Sequence, residues 1–216
     1  MTTYSEWRAS PYNTGDPATS LTCQGCHSNG HSGIGEEQLR AAAQVKLASP
    51  ELARPGEELR LQVEVRNVGA GHSLPTGSSE MRKVWLEVTV TDASGQELFR
   101  SGVLDEYGDP DEQAVIYGTV WKDDRGGPTV RKWRAAEPLY DHRIPPQGSV
   151  TETYVLALPQ DVQGPLDLRA VLRYRPVSGY YAGILSIVAG SQPIEAPVTE
   201  MARDEAVIEV VGTSPD

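Results

Sequence analysis

The sequence predicts a mainly β protein, an immunoglobulin- or fibronectin-like β-sandwich behind a short N-terminal segment of different character, and three observations predict it. Leu59, Leu61, Val63 and Val65 alternate with Arg60, Gln62, Glu64 and Arg66. Val84, Leu86, Val88 and Val90 repeat that alternation beyond a glycine-rich stretch. Period-two patterning of this kind marks antiparallel strands with one face buried and one in water. The third observation is a change along the chain: residues 1–42 lack the alternation, whereas turn residues separate about seven β-type runs across residues 43–212.

In chain order, Tyr4 and Trp7 supply aromatic cover to the first segment, Pro11, Gly15 and Pro17 break it, and only a short helix over residues 35–43 fits there. Pro55-Gly56 introduces the first alternating strand, and Asp92-Ala93-Ser94-Gly95 is a turn into a strand over residues 97–101. Further strands are expected over residues 129–134, 150–158, 166–174 and 206–211. Residues 105–127 are acidic and glycine-rich, and are expected as a solvated excursion carrying Tyr107, Tyr117 and Trp121, with partner docking as the alternative. In residues 180–194, Tyr181, Ile184, Leu185 and Val188 fall at i, i+3, i+4 and i+7, the spacing of one helix face. Residues 213–216 are expected to fray, and the chain carries no internal repeat.

With 216 residues and 38% hydrophobic residues, the chain is long enough for a proper core, rich in Val, Leu and Ile because it has one Phe against nine Tyr and four Trp. A formal net charge of -11 argues against nucleic acid or an anionic membrane as partner, since phosphate-rich surfaces attract basic proteins. A basic or neutral protein partner is the expectation. The longest apolar run, Tyr180 to Ala189, is far short of the roughly 20 residues a membrane-spanning helix needs.

Cys23-Gln24-Gly25-Cys26-His27 is the most informative motif. CxxCH is the attachment signature of a c-type haem: two thiols add across the vinyl groups of one porphyrin edge, and the adjacent imidazole binds the iron. Cys23 and Cys26 are therefore the expected thioether anchors and His27 the proximal ligand of one covalent haem c. Two other readings use the same residues. A CxxC redox motif belongs at a helix start after a strand, and no βαβ pattern surrounds this one. Zinc needs about four nitrogen or sulfur ligands, for which the two cysteines and His27 and His31 are candidates.

Covalent haem is installed outside the cytoplasm, so a periplasmic or extracellular location is expected. Met1 to Ser10 is polar and lacks the apolar run of an export signal, so the expectation is a mature form or a part of a larger precursor. With both cysteines committed to haem, none is left for disulfides.

A segment of about 40 residues cannot cover a porphyrin on both faces, so the second face falls to the β-domain. His72 is the leading candidate for the distal ligand. It lies in Asn67-Val68-Gly69-Ala70-Gly71-His72-Ser73-Leu74-Pro75-Thr76-Gly77, whose glycines permit tight turns and close approach of a flat ligand to the backbone. His31 would have to round the porphyrin edge within about 14 Å of extended chain. His142 is expected in a hydrogen-bonded turn, and Met81 and Met201 carry ordinary core readings. Those four are the weaker alternatives.

Gly71-His72-Ser73-Leu74-Pro75-Thr76-Gly77, Arg82-Lys83-Val84-Trp85-Leu86, Arg143-Ile144-Pro145-Pro146 and Leu172-Arg173-Tyr174-Arg175 together resemble the C-terminal β-sandwich module of bacterial multihaem c-type cytochromes. Trp7-Arg8-Ala9-Ser10-Pro11 and Thr22-Cys23-Gln24-Gly25-Cys26-His27 resemble the last haem-binding segment before that module. The resemblance implies that the histidine of the Gly-His motif, here His72, is the distal ligand. This chain departs from the family in having a single CxxCH, and in having Tyr12 where a histidine often follows Ser-Pro.

Three functions follow. The first is a monohaem electron-transfer protein with His27 and His72 on the iron, working with other redox proteins or multihaem cytochromes or by self-assembly. The second is an open-site haem enzyme or a gas or peroxide sensor, recruiting Arg8, Tyr12 or His31. The third is an interaction module whose haem staples residues 1–42 to the sandwich of residues 43–212.

Overall fold

The computed structural model describes residues 2–27, 35–78, 81–105, 108–129, 131–190, 192 and 196–211. Short helices come first: α1 (Thr3–Ala9), α2 (Cys23–His27) and α3 (Glu36–Ala42). Strands follow as β1 (Ala43–Ala48), β2 (Leu52–Ala53), β3 (Glu58–Asn67), β4 (Lys83–Thr91), β5 (Glu97–Ser101), β6 (Val115–Tyr117), β7 (Thr119–Asp123) and β8 (Pro128–Thr129). The chain closes with a 3-10 turn over Lys132–Arg134, then β9 (Ala135–Asp141), β10 (Ser149–Ala157), β11 (Leu166–Arg175), α4 (Gly179–Ala189) and β12 (Thr199–Val210).

The expected mainly β, sandwich-like fold is present. One sheet has the order β1-β3-β10, a second β2-β12-β11-β4-β5 with β6 also on β4, and a third β8-β7-β9. The alternation of β3 decides which side faces in. Leu61, Val63 and Val65 are fully buried, while Arg60, Gln62 and Arg66 stay exposed. Leu86 and Val90 of β4 and Leu166 and Leu172 of β11 complete a core shared by the first two sheets. Trp85, on the opposite face of β4, is buried as well, with its indole N–H donating to Gly102 O at 2.8 Å.

Three expectations are corrected. Residues 105–127 are not a solvated excursion: they hold β6 and β7, and Tyr117 is fully buried against β4. Tyr107 lies outside the described residues. Where a strand was expected over residues 129–134, the described residues show pairing at Pro128–Thr129 and a 3-10 turn over Lys132–Arg134; the strand is β9, whose Pro138 hid it in the sequence. The final strand begins at Thr199, earlier than residue 206; Arg203, Asp204 and Glu205 interrupt the apolar pattern that would have marked its start in the sequence.

The helix expected within residues 180–194 is present as α4. Ser178 caps it by accepting from Tyr181 N, and Gly190 closes it in the left-handed conformation. The helix buries Ala182 and Ser186, leaving Ile184 and Leu185 partly exposed and Ile187 and Val188 about 80% exposed. The face that carries Ile184, Leu185 and Val188 is thus turned outward. Among the described residues no helix is long and apolar enough to cross a membrane. The expected frayed tail, residues 213–216, lies outside the described residues.

Candidate functional site

The CxxCH motif folds as α2, a single helical turn. Thr22 starts it: its hydroxyl accepts from Gly25 N at 3.1 Å and its carbonyl from Cys26 N at 3.0 Å. Spacing of i, i+3 and i+4 puts Cys23, Cys26 and His27 on one side of that turn. Both cysteines are free thiols, Cys23 exposed and Cys26 half-buried. Burial first, and then the neighbouring Cys23, push the Cys26 thiol above its ordinary range. Neither is a disulfide partner, and among the described residues no group of three or more His, Cys, Asp and Glu gathers as a metal cluster. His31 lies outside the described residues.

Opposite α2 stands the connection between β3 and β4. Asn67 ends β3 at the inward parity of Leu61, Val63 and Val65, and its amide holds the loop from inside. Nδ2 donates to His72 O at 2.8 Å while Oδ1 accepts from Ala70 N at 3.0 Å. From the other side, Ser73 N donates to Glu6 Oε2 at 3.0 Å, and Leu74 exchanges two backbone hydrogen bonds of 2.8 Å with Ile144. Thr3 and Thr76 share a hydroxyl contact of 2.6 Å. Burial raises the Glu6 carboxyl, but the Thr2 hydroxyl, the Ser73 amide and the Arg143 guanidinium outweigh it and hold the group below its ordinary value.

Gly69 and Gly71 have a role different from the one read in the sequence. A Cβ on Gly69 would stand 2.0 Å from Ala41 O, and one on Gly71 would stand 2.9 Å from Ser10 Oγ and 3.0 Å from the Tyr12 ring. Their missing side chains admit the N-terminal segment against the sandwich. Val68 N and Gly69 N both donate to Ala42 O, and the Tyr12 hydroxyl reaches Val68 O at 3.3 Å. Trp7 braces the approach to α2 through a 2.9 Å bond from its indole N–H to Leu21 O.

Between the two walls lies a cleft. His27 and His72 face one another across it with ring centres 6.2 Å apart and planes 12° from parallel. On one side of that pair the cleft runs past Cys26, Trp7, Tyr12, Leu21 and Gly71. On the other it widens to about 730 Å³ between Arg82, Tyr174, Pro176, Pro197 and Met201. That volume falls in the roughly 300–1,000 Å³ range of small-ligand sites. Partial burial, then His72 and then Arg82 hold the His27 imidazolium below its ordinary pKa, which keeps the ring neutral and its lone pair available.

The spacing of the two ring centres matches that of two imidazoles on one iron. A metal–imidazole bond is about 2 Å and a ring centre lies about 1 Å behind its nitrogen, so two imidazoles on one iron have centres roughly 6 Å apart. His72 Nδ1 is engaged with Ser73 O at 3.0 Å, which leaves Nε2 as its free nitrogen. Of the other described candidates, Met201 alone lines the cleft. His142 packs between the rings of Tyr117 and Tyr140, with Nε2 2.7 Å from Glu152 Oε1. Met201 is a buried member of the core at the wide end of the cleft, and the Met81 carbonyl accepts from Ser178 N.

Asn67, Glu6 and Arg82 were missed in the sequence. Only Asn67 carried a signal, a polar residue at an inward strand position.

The fold is similar to that of a penta-haem cytochrome c552 from Thermochromatium tepidum, with 23% identity over 95% of this chain and 50% of that one and a TM-score of 0.65. The chain thus spans about half the length of that cytochrome. Lesser likenesses join it to the CARDB domain of a Pyrococcus furiosus protein (12% identity, 78% of this chain and 87% of that one, TM-score 0.34). A superoxide reductase, neelaredoxin, from Ignicoccus hospitalis follows (14% identity, 77% and 80% of the chains, TM-score 0.30). No family model and no curated protein sequence matches the chain.

Proposed function

We propose that this chain is an extracytoplasmic electron-transfer protein carrying one covalent haem c, with thioether links at Cys23 and Cys26 and with His27 and His72 as axial ligands. The observation that carries the reading is the placement of two near-parallel imidazoles 6.2 Å apart across a cleft that also receives both thiols of CxxCH. A haem bound there supplies one-electron exchange between ferric and ferrous iron.

The chain's own residues do the rest. Ser73 O fixes the tautomer and orientation of the His72 ring, and Asn67 fixes the backbone that carries it. Such preorganisation keeps both imidazoles in place through a change of charge, and it favours electron transfer over binding of a substrate at the metal. Trp7, Tyr12 and Leu21 keep water from one side of the cleft. In this reading residues 1–42 are the haem-binding segment and residues 43–212 the sandwich that completes the site. Partners are other redox proteins, multihaem cytochromes or further copies of this chain. The net charge of -11 favours a basic or neutral docking face on them.

The test is spectroscopic. Protein matured with haem should give a c-type pyridine haemochrome, a low-spin spectrum in both oxidation states, and no ready ferrous carbon monoxide adduct. His72→Ala should turn it high-spin or five-coordinate and open it to carbon monoxide. Rapid carbon monoxide binding by the unaltered protein would instead support an open-site enzyme or sensor. An unchanged low-spin spectrum in His72→Ala would move the distal role to another residue.

A further inference from the structure

Arg82 is a half-buried cation. It starts the wide side of the cleft, immediately before β4, and its guanidinium makes one long hydrogen bond, from Nη1 to Thr76 O at 3.4 Å. Among the described residues no carboxylate lies within ion-pairing distance of it, although acidic residues outnumber basic ones by 30 to 19. The carboxylate that borders the same side, Glu36, is taken by Arg40 at 2.8 Å. A guanidinium offers five donors in a planar fork that matches a carboxylate, and most of these are unspent here.

The cleft is also sided. Cys26 borders only the narrow half and Arg82 only the wide half, with Cys23, His27 and His72 between them. In a porphyrin joined to protein through its vinyl groups, the two propionate side chains leave from the opposite edge. A ring plane passing between His27 and His72 and bonded at Cys23 and Cys26 therefore sends its propionates into the half that holds Arg82.

We propose that Arg82 binds the haem propionates, fixing the rotational setting of the ring and compensating its negative charge. The proposal rests on the haem reading above and extends it to the opposite end of the cofactor. A cation facing the propionates offsets charge that otherwise favours ferric iron, so Arg82 raises the reduction potential.

The test is a spectroelectrochemical titration of the haem-loaded protein, of Arg82→Gln and of Arg82→Lys. Arg82→Gln should keep the low-spin spectrum while its reduction equilibrium falls about tenfold, which is 59 mV for a one-electron couple. Arg82→Lys, which keeps the charge but not the fork, should fall between the two. An Arg82→Gln potential equal to that of the unaltered protein overturns the proposal and leaves the haem reading standing. Absence of a c-type haemochrome from the unaltered protein overturns both. If Arg82→Gln does not take up haem, resonance Raman decides: the propionate bending band should move between the unaltered protein and Arg82→Lys. An identical band in both overturns the proposal.

Discussion

The two walls of the cleft are built by opposite means. On the sandwich side, β3 buries every second residue, and the loop that carries His72 hangs from it by Asn67. On the N-terminal side, α1 and α2 bury none of their residues and α3 buries only Leu39. One wall derives its stability from apolar area removed from water, and the other is held at discrete points: Glu6 to Ser73, Thr3 to Thr76, and Ala42 O to the amides of Val68 and Gly69. A small segment without a core of its own needs such staples, and the covalent haem proposed above would be one more.

The contrast breaks most visibly in the core. Leu61→Ala, at a site with no exposure and a fixed sheet around it, should cost about 2–5 kcal/mol, read as a lower urea midpoint for the far-ultraviolet signal of the strands. A loss below about 1 kcal/mol would mean that the sandwich is not the stable half.

A smaller effect is expected at the seam. Gly69→Ala forces a Cβ onto Ala41 O and should cost about 1–3 kcal/mol. Hydrogen exchange should show it as faster exchange of the Val68 amide, with the amides paired between β4 and β11 unchanged. Equal acceleration in both places would show that the two walls unfold together.

The smallest effect is set by pH. Glu6 is held below its ordinary value of 4.5, so its bond to Ser73 N contributes stability that is complete above that pH and is lost as pH falls through the lower, folded value. Acidification through the lowered value of Glu6 should therefore release α1, seen as a change in Trp7 fluorescence in Glu6-bearing protein but not in Glu6→Gln, while strand circular dichroism persists. A simultaneous loss of both signals would remove Glu6 as the specific tie.

The sandwich was legible because its strands carry one buried and one wet face; nothing more than alternation was needed to place Leu61 inward and Arg60 outward. Pro138 hid β9, and the charges of β12 hid the start of that strand, since a solvated edge has no apolar pattern to read. Helical spacing correctly marked α4 but did not tell which side packs, because the buried side is built from small Ala182 and Ser186. In the candidate site, CxxCH was legible from its spacing and His72 from its glycine-rich loop. Arg82 was not, because its significance lies in having no carboxylate at ion-pairing distance among the described residues, a fact about three dimensions that one dimension does not contain.

The bond between Ala42 O and Val68 N has a consequence for the order of assembly. His27 and His72 are distant along the chain, and joining them through one iron directly would close a long loop at an entropic cost that grows with its length. The antiparallel pairing of β1 with β3, which sets Ala43 opposite Asn67, short-circuits that loop. Once this pairing forms, the path from His27 to His72 runs forward to Ala42, across one hydrogen bond, and on through a few residues. Local strand pairing thus takes most of the closure entropy in advance, and the second imidazole is delivered to the cleft by the folding of β1 and β3.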